Sequence, residues 1–172
     1  MACEIVGTER TLFVAWGTPQ IVDVERALEQ LRLRAELTKG LIFYVTRVPS
    51  DAPTPEPEVR RHISQRLATA VEHCSQYHVI LEGDGFASAV KRGVLLSLFQ
   101  FTQKRGMFHV HATVHALRRV IPLEWRADVT GLLDLAEKRD LLEGAIPSER
   151  KPGGTGTLSA DGAMRKKPSD VA

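Results

Sequence analysis

Leu41-Ile42-Phe43-Tyr44-Val45-Thr46 is nearly continuous in apolar, β-branched and aromatic residues. Such a run reads as a central strand buried on both faces. Immediately before it, Ile21, Val24, Leu28, Leu31 and Ala35 recur at helical spacing. They make one apolar stripe on a helix. Thr18-Pro19 supplies a start signal, Thr as the cap and Pro as the first helical residue. Lys39-Gly40 supplies the stop, with Gly expected in the left-handed position. Further upstream, Cys3–Val6 and Thr11–Trp16 are β-rich runs flanking Gly7-Thr8-Glu9-Arg10. Strands joined so tightly form an antiparallel hairpin.

Downstream of the central run, Val48 to Pro57 holds four prolines, too many for regular structure. It predicts a stiff connection. Helical spacing resumes with Val59, Ile63, Leu67, Ala70 and Cys74, and Tyr77–Glu82 predicts the next strand. Gly83-Asp84-Gly85 is a tight turn into a third helix, Phe86 to about Lys104, apolar on more than one side and so expected to be the most buried. Met107–His111 predicts a short last strand, and Thr113 caps a short helix that Pro122 closes. A further amphipathic helix is expected from about Asp128 to Leu142. Alternation of strands and helices after a hairpin predicts an α/β fold with a mixed sheet of about five strands. The expected organisation is one α/β domain over residues 1–121, a helical segment over 122–146 packed on or beside it, and a disordered tail over 147–172, where little can be buried.

With 172 residues and 43% hydrophobic content, the chain can build a core without a disulfide or metal staple. Its two cysteines, Cys3 and Cys74, lie in no ligand-like spacing. There is no basic stretch leading into an apolar run at the start, and no apolar segment approaches the roughly 20 residues of a membrane span. These features predict a cytoplasmic protein with reduced thiols. The formal charge of +2 belongs to the tail. Residues 1–146 carry 18 basic and 18 acidic side chains, whereas the remainder carries five against three. A neutral folded part argues against nucleic acid as a partner.

The element order, carried by the opening hairpin, the helix after Gly17-Thr18-Pro19, the central run Leu41–Thr46 and the closing Phe108–Leu117 segment, resembles the STAS domain of anti-sigma-factor antagonists. It looks most like divergent bacterial members without an attached catalytic domain. The resemblance implies a non-catalytic regulatory or scaffold domain that acts through protein–protein interaction in bacterial signalling, with another protein or a second copy of itself as partner. In the antagonists a phosphorylatable Ser preceded by Asp opens the helix after the central strand. Here Ser50 is followed by Asp51, and Thr54 lies between prolines, so the Asp-Ser motif is absent.

Six residues are singled out as partner-binding or regulatory: Ser50, Asp51 and Thr54 in the proline-rich loop, and Gly83, Asp84 and Gly85 in the turn. The loop reads equally as a phosphorylated or partner-binding element and as a stiff connection. The glycine turn has free N–H groups for an anion, yet its spacing is neither a P-loop nor a dinucleotide fingerprint, and Asp84 serves well as a helix cap. His109 and His111 share a strand face and His115 follows, but no Cys or acidic residue completes a ligand set nearby. His73, Cys74 and His78 resemble a ligand cluster only on paper, because Cys74 falls on the apolar helical stripe. No metal or cofactor is therefore expected. Ser88, His111 and Asp84 contain the residue types of a catalytic triad without a nucleophile-elbow context, so no catalytic residue is expected either. The alternative to a protein-binding role is a small-molecule module for a nucleotide or lipid, with Phe43, Tyr44, Phe99 and Phe101 lining a pocket.

Overall fold

The computed structural model describes residues 3–83, 91–93 and 106–142. Within them a five-stranded mixed sheet has the order β1-β2-β3-β4-β5, from Glu4–Gly7, Thr11–Ala15, Ile42–Val48, Cys74–Leu81 and Phe108–His111. β1 runs antiparallel to β2, in the register Ile5↔Val14, and each remaining pair is parallel. Helices α1 (Ile21–Thr38) and α2 (Pro57–Glu72) link β2 to β3 and β3 to β4. Helices α3 (Val114–Val120) and α4 (Arg126–Glu137) follow the last strand, joined by a 3-10 turn at Leu123–Trp125.

A parallel sheet whose strands follow one another in sequence order needs crossovers of one hand, which put their helices on one face. α1 and α2 accordingly share the face made by Leu12, Val14, Ile42 and Tyr44, burying Ala27, Leu31 and Ala70. The opposite face, made by Phe13, Ala15, Phe43, Val45 and Ile80, is covered by the C-terminal segment. There α3, the 3-10 turn and α4 contribute Leu117, Trp125, Val129, Leu132 and Leu133. Residues 122–142 thus contribute to the same core as the sheet. β2 and most of β3 are buried at every position because both of their faces are covered, which is why the Leu41–Thr46 run shows no alternation.

Four boundaries differ from the sequence reading. α1 starts after Gln20, not at Thr18: Pro19 packs inward, and the Gln20 N–H donates to the Asp23 carboxylate at 3.3 Å. The left-handed residue at its end is Lys39 (φ 50°), while the Gly40 N–H closes on the Ala35 carbonyl. Cys74 is not on the stripe of α2. It opens β4 opposite Ile42, and a register shift there lengthens the strand toward its N-terminus. The last helix stops at Glu137, and Leu141 and Leu142 reach the core from the chain beyond it, past the left-handed Asp140. Of the expected helix from Phe86 to Lys104, Lys91–Gly93 are helical and the rest lies outside the described residues, as does the tail.

Close packing also explains Gly7, which ends β1. A Cβ there would lie 2.6 Å from the Thr11 carbonyl oxygen and 2.8 Å from the Arg34 guanidinium carbon. The hairpin can pass beneath Arg34 of α1 only with no side chain at that point.

Candidate functional site

An opening lies between the sheet and the α1/α2 layer. It is a cavity of about 350 Å³, within the usual range for small-molecule sites. Its floor is Tyr44, Thr46, Tyr77 and Val79 of the sheet. Val24, Ala27, Leu28 and Leu31 of α1 form one wall, and Ile63, Leu67 and Ala70 of α2 form the other. Trp16, Pro19 and the loop residues Ala52–Pro55 close the end at which the parallel strands terminate. The helical stripes predicted from sequence therefore do two jobs, since Val24, Leu31 and Leu67 seal the core and also line the cavity.

The outer edges of α1 and α2 are strapped together. Glu25 accepts from His62 at 2.6 Å and from Arg66 at 2.8 and 2.7 Å. The Arg66 hydrogen bonds hold the Glu25 carboxyl below its usual range, with His62 adding to the effect. Inside, the Tyr44 and Tyr77 rings lie 4.5 Å apart. Burial pushes both phenols up, Tyr44 furthest. Neither phenol is suited to proton transfer near neutral pH.

Beside this cavity is a smaller polar one of about 210 Å³, lined by Gly17, Thr18, Arg47, Asp51 and Asp140, among others. The proline-rich loop is the partition. Ala52 and Pro53 line both spaces, Thr54 lines the apolar one and Asp51 the polar one. Ser50 and Asp51 are the exposed central residues of a turn closed by the Ala52 N–H on the Pro49 carbonyl at 3.2 Å. Lys91 reaches the same turn and donates to the Ser50 and Ala52 carbonyls at 3.1 and 3.0 Å. Gly83 sits just past β4 with φ 98°. Asp84 and Gly85 lie outside the described residues, as does Ser88.

The histidines gather on the other face of the sheet. His109 and His111 share that face, as their spacing predicts, and His78 of β4 joins them. The rings stack instead of converging. His78 lies 4.6 Å from Phe43 and 4.7 Å from His109, with interplanar angles of 14° and 18°. Its Nδ1 is 2.9 Å from Nε2 of His111, and its Nε2 is 2.8 Å from Oε1 of Gln76. Burial, reinforced by the neighbouring histidines, pushes His78 down to about 3, and burial with His109 pushes His111 down to about 4. Such rings stay neutral over the physiological range. His73, Cys74 and His78 do not assemble, because Cys74 faces the α1/α2 layer while His78 faces α3 and α4. Among the described residues, no group of three His, Cys, Asp or Glu side chains is placed to hold a metal ion. Cys3 and Cys74 are free thiols, both buried.

The pocket residues named from sequence divide in the same way. Tyr44 lines the cavity, Phe43 belongs to the opposite core, and Phe99 and Phe101 lie outside the described residues. Alternation along β3 sends neighbours to opposite faces, which a continuous apolar run conceals. Among the described residues, no helix is long and apolar enough to cross a membrane. No family model, curated protein or solved structure matches this chain.

Proposed function

We propose that this domain is a non-catalytic regulatory module that holds a small, largely apolar molecule between its sheet and the α1/α2 layer. One observation carries the reading: a cavity of about 350 Å³ stays open among side chains that would otherwise pack together. Interiors are normally filled to crystal density, so an opening of this size lined by Leu28, Leu31, Ile63 and Val79 favours an occupant. The non-catalytic part rests on the lining, where the described titratable groups are arginines, a lysine and two phenols raised by burial. The regulatory part of the reading is supported by the STAS-like element order, with its opening hairpin and the Thr113 cap after the last strand.

Thermal unfolding of the full chain with and without dodecanol tests it. A probe at about 100 times its dissociation constant should stabilise the fold by about 2.7 kcal/mol. Ala70→Phe, which fills the cavity from α2, should keep the fold and abolish the shift. Absence of any shift in the parent protein overturns the reading.

A protein partner is the second reading, favoured by Leu33 and Leu37, one helical turn apart on α1, with Leu37 83% exposed, and by the half-exposed Leu41 just beyond. Sedimentation of the parent and of Leu37→Glu separates the two. Self-association that Leu37→Glu removes supports a second copy as partner, and two identical monomeric profiles remove that partner.

A further inference from the structure

The ligand class can be narrowed by the charges at the cavity, an inference that rests on the reading above. Three cations, Arg60, Arg66 and Lys91, are among its described lining residues, and no carboxylate is. Arg66 is neutralised by Glu25 through two hydrogen bonds. Among the described residues, Arg60 and Lys91 have no carboxylate partner. The ammonium of Lys91 is instead held by the Ser50 and Ala52 carbonyls, an arrangement that fixes its position and leaves its charge uncompensated. Asp51, between those two residues, lines the separate polar space.

An apolar space with fixed positive charge at its boundary suits a molecule that is apolar along its length and anionic at one end. We propose that the cavity takes a single-chain amphiphile with a monoanionic head, such as a fatty carboxylate, with its chain along Leu28, Leu31, Leu67 and Val79 and its head toward Arg60 and Lys91. A cavity of about 350 Å³ has room for one such chain.

The lining provides its own reporter, because Trp16 borders the cavity while Trp125 lies in the opposite core. Titration of the full chain with dodecanoate and with dodecanol, followed by tryptophan fluorescence, compares the same chain with and without the charge. Dodecanoate should bind about tenfold more tightly, a preference that falls with added salt. Arg60→Gln combined with Lys91→Gln should bring the dodecanoate-to-dodecanol affinity ratio close to one, with a cooperative thermal transition reporting that the fold persists. Equal binding of the two probes, or a preference that survives in the double variant, overturns this inference while the cavity reading stands. Failure of both probes to bind overturns both.

Discussion

Arg47 and Glu82 meet at the C-terminal ends of β3 and β4 as a two-pronged ion pair, Nε to Oε1 at 2.9 Å and Nη2 to Oε2 at 2.7 Å. Nη1 of Arg47 also donates to the Leu141 carbonyl at 3.1 Å. One guanidinium, 1% exposed, thereby fastens the sheet to the chain that follows α4. Glu82→Gln removes the charge that faces this buried guanidinium in the two-pronged pair and should cost up to about 3–5 kcal/mol. Urea unfolding of the parent and the variant at neutral pH measures it. A loss below about 1 kcal/mol would mean that the pair is solvated like a surface bridge.

The histidine stack predicts a pH dependence with a definite sign. In the folded chain His78 titrates at about 3 and His111 at about 4, both below the ordinary 6.5. Between those values the unfolded chain takes up protons that the folded chain refuses. Stability is therefore full above about pH 7 and falls as the pH drops from about 6.5 toward 4. His78→Phe keeps a ring against Phe43 and removes one of the two groups. It should reduce the slope in this window by up to about 1.4 kcal/mol per pH unit. Denaturant midpoints at a series of pH values show whether it does.

Two glycines should respond oppositely to the same change. Gly7→Ala drives a Cβ into the Thr11 carbonyl and the Arg34 guanidinium and should cost about 1–3 kcal/mol. Gly131, exposed within α4, has nothing within 4 Å of an added Cβ. Gly131→Ala should add about 0.5–1 kcal/mol through helix propensity. Thermal midpoints that moved in the same direction for both would contradict the close packing at Gly7.

Thr113 caps α3 by accepting the Ala116 N–H at 3.1 Å. A helix of seven residues depends heavily on such a bond. Thr113→Ala should cost about 1 kcal/mol and speed amide exchange in α3 more than in α1. Uniform exchange across the two helices would assign the loss to something other than the cap.

The order of the described elements was legible from local signals. The hairpin, the stripes of α1 and α2, the continuous run of β3 and the Thr113 cap each follow from residue spacing within one segment. Where the reading slipped at Thr18 and Cys74, contacts from outside the segment decided. Pro19 is drawn into the cavity wall, and Cys74 is captured by pairing with Ile42. The candidate site was barely legible. Thr54 and Asp51 were singled out for their loop, but that the loop divides an apolar from a polar space depends on how two helices settle on a sheet.

The sequence by itself determined the class of fold, because periodicity and turn residues are local and a hairpin followed by alternating segments admits few topologies. Only the tertiary structure decided which side of each strand a residue faces. A run such as Leu41–Thr46, apolar on both sides, carries no phase to reveal it. That phase sends Tyr44 to the cavity and Phe43 to the histidine stack. The settling of helices on the sheet likewise gathers Arg60 and Lys91, 31 positions apart, at one apolar opening.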